Sequence, residues 1–91
     1  MTTPTFHFSY ALAERAGREK HRSPCSASFN WFGYRIEVAY RTWEDHYHVY
    51  SKATNEHLAS FMDTGHELEG VWAADGWRVT SHHQVRQAVA A

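Results

Sequence analysis

The chain has 91 residues, nine Lys/Arg, ten Asp/Glu and eight His, for a formal charge of −1. That size predicts a single domain over residues 1–91, large enough for its own core, and the near-zero charge argues against a generic nucleic-acid coat. One cysteine, Cys25, excludes an internal disulfide and a multi-cysteine zinc site. No apolar run approaches the roughly 18 residues of a membrane span, and Met1-Thr2-Thr3-Pro4 does not open like a secretory leader, so the expected location is cytoplasmic.

Phe6, Phe8, Tyr10 and Leu12 alternate with small or polar residues, the period of a half-buried strand. The alternative for its tail, Tyr10 to Ala16, is a helical turn, because Ala, Leu, Glu and Arg are good helix formers, and Gly17 would then end it. From Glu14 to Ser28 the chain is polar and lacks apolar periodicity, which predicts a long basic loop over 14–28 bearing Arg15, Arg18, Lys20 and Arg22. Loops of that length are uncommon and are either functional or mobile, which makes this segment the best candidate for one that orders on binding.

Phe29 to Tyr40 reads as one long strand, with Phe32, Tyr34, Ile36, Val38 and Tyr40 on one face and Arg35, Glu37 and Arg41 on the other. Gly33 and the opposite parity of Phe29 and Trp31 predict a bulge or bend near 31–33. Thr42-Trp43-Glu44-Asp45 has turn composition, and the alternation of Tyr47, Val49 and Ser51 with His46, His48 and Tyr50 gives the second arm of a hairpin. A turn at 53–56, an apolar run from Leu58 to Met62 and a break at Asp63-Thr64-Gly65 continue the meander.

Asp75-Gly76 stands between two apolar runs as a two-residue hairpin turn should, pairing Ala74 with Trp77 and Trp72 with Val79. Ser81-His82-His83-Gln84 fits a capping box, and Val85, Ala88 and Val89 have helical spacing, so a short helix over 82–90 is expected to close the chain. The expected architecture is α+β: a small twisted antiparallel sheet of five or six strands with a C-terminal helix. Its core should draw on Phe6, Phe8, Tyr10, Tyr34, Ile36, Val38, Val49, Trp72, Trp77, Val79, Val85 and Val89.

No nucleophile with a base, catalytic carboxylate pair or glycine-rich phosphate loop is spelled out, so neither an enzyme nor a cofactor is expected. The eight histidines raise a metal-binding alternative, in which His46 and His48, two apart on one strand, share an ion with a third ligand such as His66 or Glu67. No His-Glu-x-x-His supports it. Charge is segregated: residues 1–52 hold seven bases against five acids, whereas residues 53–77 hold Glu56, Asp63, Glu67, Glu69 and Asp75 and no base. Such a dipolar surface steers a charged partner.

The expected function is therefore that of a small intracellular binding protein acting by protein–protein contact, of the kind that phages and mobile elements use to inhibit a larger nucleic-acid-handling machine. The binding residues would be Arg15, Arg18, Lys20 and Arg22 of the basic segment, Arg35, Arg41 and Trp43 beside it, and Glu56, Glu67, Glu69 and Asp75 of the acidic run. A nucleic-acid-binding regulator, gripping phosphates with residues 15–22 and stacking bases on sheet aromatics, is the alternative.

Overall fold

A computed structural model describes residues 3–87 of the chain. Phe6 and Phe8 alternate inward from a short first strand, β1 (Thr5–Phe8), as their spacing predicts. Ser9 then ends the strand: its Oγ accepts the Leu12 N–H at 3.2 Å and caps helix α1 (Tyr10–Arg22). The expected basic loop is thus for the most part a helix. Leu12 and Ala16, four residues apart, are its buried stripe, while Lys20, His21 and Arg22 complement the negative end of its dipole. So narrow a stripe of small residues carries little periodic signal, and the helix runs through Gly17 instead of ending there.

The second correction lies at 26–40. In place of one long bent strand there are two, β2 (Ser26–Trp31) and β3 (Tyr34–Tyr40), paired antiparallel with Trp31 opposite Tyr34. Phe32 (φ +49°) and Gly33 (φ +74°) form the two-residue turn between them, with both central residues at positive φ as a type I′ hairpin requires. The chain continues through β4 (Asp45–Ser51), β5 (His57–Asp63) and β6 (Glu67–Ala73) as the expected meander.

Asp75-Gly76 does turn the chain, with the Trp77 N–H donating to the Ala74 carbonyl, but the expected hairpin does not follow. Strand β7 (Arg78–Ser81) leaves the sheet and pairs parallel with β1, setting Val79 beside Phe6. The capping-box reading of Ser81 to Gln84 also fails: Ser81 Oγ accepts the His83 N–H, and residues Gln84–Gln87 form strand β8, parallel to β6. The rest of the expected C-terminal helix, 88–90, lies outside the described residues.

Among the described residues the result is a small α+β fold, one helix and a mostly antiparallel sheet ordered β2-β3-β4-β5-β6-β8, with the β1–β7 ribbon as a separate pair. The ribbon and α1 cover one face of the sheet. Phe8 meets Tyr47 and Phe61 at ring separations of 4.9 and 5.2 Å, and Phe6 meets Tyr34 at 5.0 Å. Tyr40 Oη donates to the Ala16 carbonyl at 2.6 Å and ties α1 down; burial, with Asp45 nearby, pushes that phenol up to about 12. Of the expected core, Phe6, Phe8, Ile36, Val38, Val49 and Val79 are buried, and Tyr34, Trp77 and Val85 pack against it. Tyr10 and Trp72 are exposed, and Val89 lies outside the described residues. No helix among the described residues is long and apolar enough to cross a membrane.

Candidate functional site on the open sheet face

The face of the sheet away from α1 and the ribbon has no covering layer among the described residues. Strand alternation places Arg35, Glu37 and Ala39 of β3 and His46, His48 and Tyr50 of β4 on it. Alternation alone would send His57 inward, because Ala59 and Phe61 on the same strand are buried. A bulge intervenes: Val49 pairs with Ala59 but Tyr50 with His57, leaving Leu58 as the extra residue. Leu58 and Ala59 are both buried, and His57 emerges beside Tyr50.

Strand β6 repeats the device. Ser60 pairs with Trp72 and Met62 with Glu69, so Gly70 and Val71 together oppose Phe61. Gly70 has φ +58°, the left-handed geometry of the first residue in a glycine bulge. Leu68 and Val71 consequently both point inward, and Trp72 turns outward to 47% exposure.

Two bulges thus complete a row of side chains across four strands. The Arg35 guanidinium lies 4.4 Å from the centre of the Tyr50 ring, Tyr50 is 4.9 Å from His57 at an interplanar angle of 31°, and His57 is 4.7 Å from Trp72 at 23°. These separations match the spacing between neighbouring strands, about 4.8 Å. Nearly parallel rings at that distance must stand upright on the sheet and stack on each other, since rings lying flat in one plane would collide. The row therefore presents its edges to solvent and uses its inner faces on each other, with Trp72, 47% exposed, at its end.

Second contacts hold the row in place. Arg35 makes an ion pair with Glu37 and, through Nη2, a 2.6 Å bond to Asn55 Oδ1. Asn55 itself has φ +62°, a conformation its side chain tolerates better than most. His48 Nδ1 and His57 Nε2 share a hydrogen bond at 3.3 Å. Beside the row, Gly70 leaves a hollow of about 180 Å3 bordered by His46, His48, Ser60 and Met62.

Burial lowers the pKa of His57, and the neighbouring His48 lowers it further, against smaller opposing effects of the Ala59 backbone and Glu37. The folded protein therefore holds His57 neutral at a pH where the unfolded chain, titrating near 6.5, already takes up a proton. Stability should fall as pH drops through about 6.5 and level off only below the depressed folded value. His57→Phe keeps a ring in the row and removes this titration, so it should flatten the dependence of Tm on pH between 7 and 5. An unchanged slope would assign the dependence to other histidines.

The sequence-derived binding residues do not share one surface. Arg15, Arg18, Lys20 and Arg22 lie on α1, against the covered face: Arg15 sits over the Phe29 ring at 4.7 Å and pairs with Glu19 at 3.0 Å, and Lys20 approaches the Tyr40 ring. Arg18 pairs with Glu14 at 4.0 Å. Lys20, Arg41 and Trp43 meet at one end of the sheet, around a depression of about 200 Å3 that also holds Asp45 and Asp63. Trp43 is 85% exposed, as its turn position implies. Burial raises the Asp45 carboxyl above its ordinary value, Lys20 opposing.

The acids divide as well. Glu56 and Asp75 lie in the turns at the opposite end of the sheet, Glu69 is opposite Met62, and Glu67 begins β6 at the Trp43 end. Only Arg35 of the expected set belongs to the stacked row. His46 bonds to Glu44 at 3.3 Å and His48 to His57; both border the hollow beside Gly70, but among the described residues no group of three His, Cys, Asp or Glu is placed to hold a metal. Comparison with protein families, curated proteins and solved structures found no match for this chain.

Proposed function

We propose that the chain is a small binding protein that acts by contact, occupying a surface of a larger protein with the open face of its sheet. The stacked row Arg35–Tyr50–His57–Trp72 carries this reading. Trp, Tyr and Arg are the residues most favoured as interface anchors, and here they are held by one another and by Glu37, Asn55 and His48. Side chains ordered before contact lose little further freedom when a partner arrives. Their outward edges offer donors, the Arg35 guanidinium, the Tyr50 hydroxyl and the Trp72 indole N–H, which suits a partner surface rich in carbonyl and carboxylate oxygens. A domain of this kind inhibits when the surface it covers is one that a larger nucleic-acid-handling machine needs.

Base stacking on this sheet is the weaker reading. It requires free ring faces, whereas these rings face each other, and the cations that would hold phosphates sit on α1 behind the sheet. The test is capture by the immobilised full chain from lysate of the source cells, with and without nuclease, followed by affinity measurement with the captured protein. Trp72→Ala should weaken that affinity by about 2 kcal/mol or more, roughly 30-fold, while Trp43→Ala leaves it within a few-fold. A partner held equally well by Trp72→Ala, or retention of nucleic acid alone, would sink the proposal.

A further inference from the structure

Strand β2 forms one edge of the six-stranded sheet and lacks the usual protections of an edge. Ser26-Ala27-Ser28-Phe29-Asn30-Trp31 carries no charge, no proline and no bulge. The Tyr40 N–H donates to the Cys25 carbonyl, and bonding alternates along an antiparallel pair. Residues 27, 29 and 31 therefore bond inward to β3, and Ser26, Ser28 and Asn30 direct their N–H and C=O groups to the open edge. All three are exposed.

At the end of this strand Phe32 breaks a local rule. Residues at positive φ in a two-residue turn are normally Asn, Asp or Gly, and a bulky ring there is strained by about 1–2 kcal/mol. Phe32 nevertheless holds φ +49° with 82% of its surface exposed. Burial does not explain this ring, since its contact is edge-on to Trp31 at 5.0 Å. Strain kept at an exposed aromatic points to a contact outside the fold.

We infer that β2 pairs with β2 of a second copy of this chain, antiparallel about a two-fold axis at Ser28, with Phe32 as the anchor of the interface. One register lets all three free residues bond: Ser28 opposite Ser28 of the second copy, and Ser26 opposite its Asn30. In that register Phe32 of the second copy falls opposite Pro24. There the first copy has a groove of about 370 Å3, bordered by Ser23, Ser26, Ser28, Glu37, Ala39 and His48, that opens beside the strand edge. Symmetry fills the groove on both sides at once, which is why the occupant is this chain itself. A strand without charge has none to set against its own copy and none to attract a different, charged partner. The groove shares Glu37 and His48 with the braces of the stacked row but is bordered by none of Arg35, Tyr50, His57 and Trp72, so Trp72→Ala tests the row without altering the groove, and Ser28→Lys tests the strand edge without altering the row.

Sedimentation equilibrium of the full chain from low to high micromolar concentration tests the pairing, starting from a monomer of 10.6 kDa. The mass should double with concentration. Ser28→Lys, which places a charge on the two-fold axis, and Phe32→Asn should each weaken association at least about tenfold. Phe32→Asn also separates an anchor from a structural residue: an Asn-Gly turn relieves the strain, so this variant should melt at a higher temperature while associating less. A monomer at every concentration overturns the pairing. Association that survives Ser28→Lys removes the strand edge from it, and association that survives Phe32→Asn removes the anchor.

Discussion

Phe8→Ala is expected to destabilise the fold by about 3–5 kcal/mol, the range for deleting a fully buried phenyl ring. Phe8 is wholly buried and touches Tyr47 and Phe61 edge-on, with His82 stacked against it at 5.6 Å. It is therefore where the β1–β7 ribbon meets the sheet. Domains of this size are stable by roughly 5–14 kcal/mol in total, so the loss would bring unfolding close to ambient temperature. Tyr10→Ala is the informative control. The strand alternation treats Tyr10 as the next core residue after Phe8, but it begins α1 and is 68% exposed. Its removal should cost no more than about 1 kcal/mol. Urea titration of both variants, with unchanged m-values, would show the difference in midpoint; equal midpoints would mean that the ribbon does not seat on the sheet through Phe8.

The same contrast shows which parts of the fold the sequence discloses. Period-two alternation located β3 and β4, because each buries one face and leaves the other more open, and the apolar run from Leu58 to Met62 located β5. The Asp75-Gly76 turn was legible too, since its geometry depends on two residues. The partner of the strand that follows was not: Val79 leaves the sheet to join Phe6 across 73 residues of chain, and local pattern carries no information about that choice. Helix α1 was legible only as an alternative over 10–16, and its run through Gly17 to Arg22 was missed because a helix lying over the sheet on Leu12 and Ala16 needs little apolar surface. The Phe32-Gly33 hairpin was missed because phenylalanine is the wrong residue for the conformation it holds. The candidate site was hidden for a related reason, in that His57 and Trp72 reach the open face through bulges that reverse the parity read from the sequence. Gly70 inside an apolar strand was the one available signal, as an interior glycine marks a bulge.

Gly70→Val should test that origin of the site, with an expected loss of about 2–3 kcal/mol. The added Cβ would stand 2.9 Å from Met62 Cε, the free end of a flexible side chain that can swing away, so crowding is the smaller part. The larger part is backbone: at φ +58° an ordinary L-residue is strained by about 1–2 kcal/mol, and a β-branched one by more. Gly70→Asn, which tolerates the left-handed region, should lose less than half as much. Strain relieved by flattening the bulge would shift β6 by one residue and exchange the faces of Val71 and Trp72. Trp72 would then leave His57, so Gly70→Val should also weaken partner binding as Trp72→Ala does, in a variant that retains the indole. Urea midpoints and binding affinity, measured on both glycine variants, separate the two effects. If Gly70→Val matched the wild type in stability and affinity, the bulge would not depend on Gly70, and the outward turn of Trp72 would need another cause.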